Sequence, residues 1–298
     1  MPATILVTGK NGQVGNALLP VMAVLGNVVA VDVEECNLAD GAAIRRMVGT
    51  VRPDVIVNPA AYTAVDKAES DKALAFAINA AAPGILAEAA KESGAAMIHY
   101  STDYIFDGRK ATPYVEDDQT NPLSVYGASK RDGEAAIRSA LTEHIILRTS
   151  WVFGAHGANF LKTMIRLACE RDELSVVADQ FGAPTSAALL AETAGLVARE
   201  ILRERSAVPY GTYHLTPTGA VSWHGFAVYA IEYARRLGMP IRVAADAIKP
   251  IPTSAYPTAA ARPANSRLDT AKIRASFGIE LAPWQDGVRA VLETLARS

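Results

Sequence analysis

The chain has few of the features that mark secreted, membrane-bound or nucleic-acid-binding proteins. It contains 2 cysteines, Cys36 and Cys169, and their separation fits neither a disulfide framework nor a zinc site. A formal net charge of −2 gives no electrostatic reason to bind nucleic acid or an anionic membrane. The first residues lack the basic start and apolar run of a signal peptide, and no apolar run approaches the roughly 20 residues that span a bilayer. We therefore expect a soluble, cytoplasmic protein.

Several catalytic motifs are also missing. The 5 histidines form no His-x-x-x-His or Glu-x-x-His set with further ligands nearby, which argues against a metal site. No Gly-x-Ser-x-Gly elbow occurs, so a serine hydrolase of that type is excluded. No phosphate loop ending in Gly-Lys-Ser or Gly-Lys-Thr occurs, so a nucleoside triphosphatase of that type is excluded as well.

A glycine-rich turn near the start is the first feature that indicates a function. The apolar run Ile5-Leu6-Val7 leads into residues 8–15, and a second apolar run at 28–31 closes on Asp32. This order is typical of a dinucleotide-binding unit, in which glycines allow a tight turn and close approach of a pyrophosphate. The spacing Gly-x-x-Gly-x-x-Gly differs from the commonest form. Asp32 lies where a carboxylate can accept hydrogen bonds from an adenosine ribose.

Alternation of predicted strands and helices continues to about residue 150. It predicts an α/β fold: a Rossmann-type doubly wound parallel sheet with a smaller C-terminal substrate domain. We place a dinucleotide-binding domain in residues 1–150 and a mainly substrate-binding domain in residues 151–298, with segments within 174–215 completing the sheet. Pro83 is expected to kink a helix over 73–91. The proline-rich residues 250–263 are expected to form a rigid loop packed on the body.

Two groups of residues later in the chain point to carbonyl reduction. A strand over 95–100 delivers Thr102 and Asp103 to its carboxyl end, where ligands bind in open parallel sheets. Tyr126 and Lys130 are spaced to share one face of a helix. Taken alone, this spacing is typical of an ordinary solvent-exposed helix face with no catalytic role. Together with the glycine turn, the pair predicts a catalytic acid for carbonyl reduction. An ammonium lowers the pKa of a neighbouring phenol, which can then protonate a carbonyl oxygen.

These features together resemble the extended short-chain dehydrogenase/reductase family. Within it, six segments resemble the dTDP-4-dehydrorhamnose reductases, namely residues 8–15, 58–69, 101–107, 148–151, 179–185 and 256–268. The resemblance covers residues 4–295. It implies NADPH- or NADH-dependent reduction of the 4-keto group of dTDP-4-dehydro-6-deoxy-L-mannose to give dTDP-L-rhamnose. The sequence does not distinguish the two cofactors.

The resemblance also implies a role for each matching position. Tyr126 is the implied proton donor, Lys130 lowers its pKa and holds the nicotinamide ribose, and Thr102 hydrogen-bonds the carbonyl oxygen. The implied substrate contacts are Thr102, Asp103 and Trp151. The implied cofactor contacts, besides Tyr126 and Lys130, are Gly9, Gly12, Gln13, Val14, Asp32, Asn37, Leu38, Ala61, Tyr62, Thr63 and Tyr100.

One departure from the family concerns metal and assembly. Some members pair through a metal that is bridged by glutamates. The matching positions here are Ala17, Ala188 and Thr294, none of which supplies a carboxylate. The sequence therefore argues against Mg²⁺ and predicts either a monomer or a metal-independent dimer, with a dTDP-sugar as the partner.

Two other functions stay open on sequence grounds. The first is a non-catalytic NADP-binding regulatory subunit of the same fold, such as that of methionine adenosyltransferase, although intact Tyr126, Lys130 and Thr102 favour an enzyme. The second is another nucleotide-sugar reductase, epimerase or dehydratase. Dehydratases place an acidic pair after the strand-end threonine, whereas Asp103 is followed here by Tyr104.

Overall fold

A computed structural model describes residues 2–297, and a parallel sheet lies at its centre. The strands are β1 (Thr4–Thr8), β2 (Asn27–Val31), β3 (Val55–Asn58), β4 (Ala96–Thr102), β5 (His144–Thr149), β6 (Val152–Phe153), β7 (Leu174–Val177), β8 (Phe181–Gly182), β9 (Thr185–Ser186), β10 (Gly211–His214), β11 (Val221–Ser222) and β12 (Ile248–Ile251). The helices are α1 (Gln13–Ala23), α2 (Gly41–Val51), α3 (Val65–Ala68), α4 (Lys72–Phe76), α5 (Ala82–Ser93), α6 (Val125–Ala140), α7 (Phe160–Glu170), α8 (Ala187–Arg203), α9 (Trp223–Arg236), α10 (Ala271–Phe277) and α11 (Trp284–Arg297).

The central sheet has the order β10-β5-β4-β3-β1-β2, and all of its strand pairs are parallel. Alternate residues of β1 face opposite helix layers, since Ile5 and Val7 pack with α1 and α8 whereas Leu6 packs with α2 and α5. Burial on both faces explains why these strands read as continuous apolar runs. The prediction of a Rossmann-type doubly wound sheet is confirmed. The order in which strands are added to the sheet reverses at β1, because β2 lies on one side of it and β3 on the other, so a ligand crevice is expected at the carboxyl ends of β1 and its neighbours.

A second hydrophobic core lies in the C-terminal half and is built from α7, α9, α11, β7 and β12. Strand β7 pairs in parallel with β12 and not with the central sheet. Of the segments within 174–215 that were expected to complete the sheet, β10 pairs with β5, whereas β7 lies outside the central sheet. Ser175 of β7 is exposed, and a strand with one wet face does not suit a sheet that helices cover on both sides.

The helix predicted over residues 73–91 is interrupted in a different way from the kink expected. A π-helical turn, Ala77–Ala81, joins α4 to α5 immediately before Pro83. Pro83 has no N–H to donate, and a wider turn accommodates its ring. By length and composition alone the whole stretch Lys72–Ser93 could cross a membrane, contrary to the sequence expectation, but 50% of its most apolar window is buried. It packs against α2 and α6.

The proline-rich segment is a strand followed by an exposed loop. Pro250 lies within β12, which is an edge strand and therefore tolerates a residue without an N–H. The expectation of a packed loop is wrong for residues 254–259, all of which are exposed. Two hydrogen bonds anchor the end of the loop, because Asp66 accepts from Ala260 N at 3.0 Å and from Arg262 Nη2 at 2.7 Å.

A buried ion pair joins α6 to the sheet. Arg148 of β5 donates to Glu134 of α6 at 2.9 and 2.7 Å, and the side chains are 4% and 0% exposed. Burial raises the pKa of Glu134, but hydrogen bonds and charge from Arg148 outweigh this and hold the pKa below its usual value. Arg148 also donates to the carbonyl of Glu116, which ties the loop before α6 to the same point.

Replacing Arg148 should destabilise the protein strongly. In Arg148→Met the Glu134 carboxylate stays buried and, among residues 2–297, keeps Arg138 as its ion-pair partner, which is itself partly exposed, so we expect a loss of about 3–5 kcal/mol in the free energy of unfolding. Urea unfolding measures this. The matched control is Arg166→Met, which breaks the exposed Arg166–Glu170 pair on α7 and should cost less than about 1 kcal/mol. Equal losses in the two variants would contradict the role given to Glu134–Arg148.

Candidate active site

The carboxyl end of β4 and the start of α6 bring the predicted catalytic residues together. Ser124 caps α6 by accepting a hydrogen bond from Gly127 N, which places Tyr126 in the first turn and Lys130 one turn later. A Cβ at position 127 would lie 2.1 Å from the carbonyl oxygen of Tyr104. Only glycine therefore allows α6 to begin this close to the turn that follows Thr102.

Tyr126 is hydrogen-bonded to Thr102 through the side chains. Its ring lies edge-on to Tyr104, with 5.6 Å between the ring centres. Loss of water around the phenol raises the pKa of Tyr126 to about 12, against a lowering by the Thr102 hydrogen bond and a further rise from the charge of Asp103. The phenol is therefore protonated throughout the neutral range, as a proton donor must be.

Lys130 does not take the position that the sequence predicted. Its Nζ atom donates to the carbonyl of Tyr100 at 2.7 Å and lies 3.2 Å from His99 Nε2. Within residues 2–297, no hydrogen bond joins Lys130 to Tyr126, and Lys130 is not among the groups that shift the Tyr126 pKa, so the expected lowering of that pKa by Lys130 stays a prediction. Burial lowers the pKa of Lys130 to about 8, partly offset by the charge of Glu134. Both of these hydrogen-bond partners of the amine lie on β4.

The glycine turn is built to bring its backbone close to a ligand. Gly9 has a φ of +61°, and a Cβ at Gly15 would lie 1.9 Å from the carbonyl oxygen of Gly9. Gly12 precedes α1 and makes no side-chain cap, so the N–H groups at the start of the helix are left uncovered on the side of the cavity. The carboxylate of Asp32 accepts from Asn11 N at 2.9 Å and from Val33 N at 2.8 Å, which holds the turn against the end of β2.

A cavity of about 560 Å³ connects the glycine turn to Thr102 and Tyr126. The residues singled out from the sequence that line it are Gly9, Gly12, Gln13, Val14, Asp32, Ala61, Thr63, Tyr100, Thr102, Asp103, Tyr126, Lys130 and Trp151. Asn37 and Leu38 line a smaller cavity of about 160 Å³ that shares Gly9, Asp32 and Ala61 with the first. Tyr62 lines neither. Its hydroxyl donates to Asp71, and its backbone N–H donates to Asn79.

Buried polar atoms in the cavity wall lack protein partners. Asp103 Oδ2 and Thr149 Oγ1 are both buried and accept or donate no hydrogen bond within the described residues. Burial also raises the pKa of Asp103 to about 6. Such atoms are costly unless a ligand or water binds them, so together with the glycine turn they fit a bound dinucleotide and a polar substrate. Sequence reasoning missed Thr149, although it ends β5 at the same sheet edge as Thr102.

Trp151 forms one wall of the cavity at the boundary with the second core. Its φ of +51° lies in the left-handed region, which is rare for a bulky residue. The indole stacks on Trp223 with 3.6 Å between ring centres, and a Cβ at Gly182 would lie 2.6 Å from it. The ring is therefore held between two segments of the C-terminal half, and this packing stabilises a backbone conformation that costs energy.

No metal centre is apparent in the part of the chain that the structure describes. Within residues 2–297, no three His, Cys, Asp or Glu side chains are grouped so that they could hold a metal ion. At the positions where relatives were expected to carry glutamates, Ala188 and Thr294 are exposed and Ala17 is half-buried. The Thr294 hydroxyl donates to the carbonyl of Ala290.

Comparison with known proteins agrees with this geometry. A family model described as the RmlD substrate binding domain matches residues 3–297. The chain belongs to this family. Among similar members, a dTDP-4-dehydrorhamnose reductase of Burkholderia thailandensis is 49% identical over 95% of this chain and 96% of its own. One of Escherichia coli K12 is 46% identical over 98% of this chain and 97% of its own.

Solved structures of the family share the fold over the whole chain. The dTDP-4-dehydrorhamnose reductase of Bacillus anthracis, in complex with NADP, superposes with a TM-score of 0.88 at 34% identity and covers 99% of this chain and 100% of its own. That of Clostridium acetobutylicum gives a TM-score of 0.87 at 36% identity and covers 98% of this chain and 99% of its own. Family membership and the Rossmann-type reductase fold predicted from the sequence are thus confirmed.

The close contact at Gly15 yields a test of the dinucleotide site. Gly15→Ala forces the turn away from α1, so we expect the affinity for NADPH to fall by about 10-fold or more, the effect of about 1.4 kcal/mol. Fluorescence titration measures this directly. The matched control is Gly49→Ala on α2, where an added methyl group meets nothing within 4 Å and should leave the affinity unchanged. Normal NADPH binding by Gly15→Ala would place the dinucleotide elsewhere.

Proposed function

We propose that the chain reduces the 4-keto group of dTDP-4-dehydrorhamnose to give dTDP-L-rhamnose, with NADPH or NADH as the reductant. The observation that carries this proposal is the convergence of Thr102, Tyr126 and Lys130 with the glycine turn on one cavity. Support for the substrate comes from the names of relatives that are 46% and 49% identical over nearly the whole chain.

The cofactor is assigned to the glycine-turn half of the cavity. Gly12, Gln13 and Val14 hold the pyrophosphate at the N-terminus of α1, where helix N–H groups and the helix dipole favour an anion. Asp32 holds the adenosine ribose, and the adjoining small cavity with Asn37 and Leu38 is next to it. Gly9, Ala61, Tyr62, Thr63 and Tyr100 complete the set proposed from the sequence, with Tyr62 acting through its backbone. When bound, the nicotinamide supplies the hydride.

The proton is assigned to Tyr126. As the carbonyl oxygen of the sugar gains negative charge, the Tyr126 phenol donates its proton to that oxygen while the Thr102 hydroxyl donates a hydrogen bond. Because Tyr126 and Thr102 are hydrogen-bonded to each other, both face the same point in the cavity. Lys130 holds the nicotinamide ribose and, when charged, favours transfer of the proton by stabilising the phenolate.

The sugar is assigned to the space between Thr102, Asp103 and Trp151. Asp103 Oδ2 is a buried acceptor without a protein partner, which suits a sugar hydroxyl. Trp151 lines the cavity beside this space and contacts the sugar. We propose that residues 151–298 form the mainly substrate-binding domain and residues 1–150 the dinucleotide-binding domain. The second core, whose buried members all lie within residues 153–292, supports this division, although α8, β10 and α10 pack in the first core. A cytoplasmic location stays a prediction from the sequence.

Removing the phenol should separate proton transfer from binding. In Tyr126→Phe we expect kcat to fall by about 10²–10⁴-fold while the affinity for NADPH barely changes, since only the transferable proton is lost. The assay follows NADPH or NADH oxidation on the keto sugar made in situ. The matched control is Tyr114→Phe, another buried tyrosine, which lies outside the cavity and should keep its activity. If the wild-type protein binds NADPH but turns over no keto sugar, a non-catalytic subunit is favoured instead.

We propose that neither activity nor assembly depends on a divalent cation. Ala17, Ala188 and Thr294 offer no carboxylate to a shared metal, and such ions need several oxygen ligands. We expect full activity in EDTA and the same molecular mass in solution with and without Mg²⁺, as a monomer or a metal-independent dimer. Light scattering measures the mass. A mass that halves on chelation would overturn this proposal.

A further inference from the structure

A line of buried polar side chains runs beneath the glycine turn and ends at Lys130. Thr8, Asn58 and His99 lie near the carboxyl ends of the adjacent strands β1, β3 and β4, and Asn58 and His99 are register partners. All three lie on the face of the sheet that α2, α5 and α6 cover, as the alternation of burial shows. Their exposure is 0%, 1% and 0%, and that of Lys130 is 2%.

Each member of this line is hydrogen-bonded to the next. Thr8 Oγ1 and Asn58 Oδ1 are 2.5 Å apart, Asn58 Nδ2 and His99 Nδ1 are 3.0 Å apart, and His99 Nε2 and Lys130 Nζ are 3.2 Å apart. Polar groups buried in the middle of a sheet are costly unless fully paired. The proposed reduction gives Thr8, Asn58 and His99 no contact with cofactor or sugar, so their presence needs another reason.

The hydrogen atoms along this line constrain the charge of Lys130. Burial and the charge of Lys130 hold the pKa of His99 well below its usual value, so the ring is neutral and has one N–H and one acceptor nitrogen. Asn58 Nδ2 donates to His99 Nδ1, which leaves the N–H on Nε2, facing Lys130. An ammonium group has donors only, so this arrangement suits an uncharged amine.

A charged Lys130 requires the opposite arrangement. The ammonium donates to His99 Nε2, the ring N–H moves to Nδ1, and the Asn58 amide turns so that its oxygen accepts from Nδ1. The Thr8 hydroxyl can donate to the Asn58 oxygen or accept from the Asn58 nitrogen, so it satisfies either orientation. Two complete hydrogen-bond arrangements therefore exist, one for each charge state of the amine.

We propose that His99 is a positioning residue for Lys130: its Nε2 atom fixes the place of Nζ, and the Thr8–Asn58–His99 line couples the charge of Lys130 to the tautomer of His99. The inference deepens the proposed function, on which it rests, since it concerns the lysine assigned to the ribose and to the phenol. In cofactor-free protein the line holds Nζ on β4, away from Tyr126.

Ionisable groups lie on several of the elements around Lys130. Glu134 on α6 favours the ammonium by its charge. The remaining groups are Tyr126 on α6, Asp103 after β4, and Arg148 on β5 with His214 on β10 behind Glu134. Strands β1 and β3 contribute only the uncharged Thr8 and Asn58. The variants below leave all of these ionisable groups in place.

The test uses the pH dependence of NADPH affinity, measured by fluorescence titration. Because burial lowers the pKa of Lys130 to about 8, the affinity for NADPH should be highest below this pKa. It should fall as the pH rises and the amine loses its charge. His99→Leu removes the acceptor for the ammonium, so the fall should move by about one unit to lower pH. In Asn58→Asp the new carboxylate accepts from the Nδ1–H group of His99, which leaves His99 Nε2 as an acceptor for the ammonium. The fall in NADPH affinity should therefore move by about one unit to higher pH. The alkaline limb of kcat should move in the same directions.

Two further variants make the result decisive. His99→Gln keeps an acceptor in reach of Nζ and should restore most of the wild-type profile. His144→Gln changes another buried histidine, which contacts the carbonyl of Leu141 and not Lys130, and should leave the profile unmoved. Profiles unmoved in both His99→Leu and Asn58→Asp would overturn the proposal and leave His99 as a filler of the core. Should His99→Leu fail to fold, the double variant Asn58→Asp/His99→Gln decides, because an upward shift that persists without the imidazole comes from the charge of the added carboxylate alone and would overturn the proposal.

This readout separates the inference from the proposed activity. NADPH affinity is measured without any sugar, so the predicted opposite shifts stand or fall even if the keto sugar is not reduced. Loss of turnover on dTDP-4-dehydrorhamnose with the shifts intact would overturn the proposed function alone. Turnover with unmoved profiles would overturn the role of His99 alone.

Discussion

The ion pair between Glu134 and Arg148 fixes the helix on which the proposed chemistry depends. It lies one turn beyond Lys130 on α6, and at the other end of that helix Gly127 packs against the carbonyl of Tyr104. Held at both points, α6 presents Tyr126 to the strand end that carries Thr102. Because a buried ion pair is strongly destabilising only when one partner is lost, the pair specifies the position of α6 more than it adds stability.

Desolvation decides how the ionisable groups of the cavity behave. It raises the pKa of Tyr126 to about 12 and lowers that of Lys130 to about 8, so that the pKa values of two groups that are nearly equal in water move apart. A phenol that stays protonated suits a proton donor, and an amine that titrates near pH 8 can change charge when a ligand enters. The line from Thr8 to His99 gives each charge state of that amine a complete set of hydrogen bonds.

Much of the site could be predicted because it depends on local order along the chain. In a parallel sheet every strand ends at the same edge, so the glycine turn after β1 and Thr102 after β4 had to meet. Thr149 could have been found by the same rule. Tyr62 was assigned to the cofactor by resemblance, yet its side chain is hydrogen-bonded to Asp71 and lines neither of the two cavities described above. Which way a loop side chain turns depends on partners distant in sequence.

By itself the sequence determined the order of strands and helices, the doubly wound sheet and the residues that reach its carboxyl edge. Apolar periodicity and glycine geometry act over a few residues, so these features are legible locally. Only the tertiary structure decided that β7 pairs with β12, that a π-helical turn precedes Pro83, and that Lys130 binds His99 and not Tyr126. Each of these outcomes depends on which of several packing partners or hydrogen-bond acceptors gives the lowest free energy. Those partners are distant in sequence, so the spacing of residues along the chain does not reveal which one is preferred.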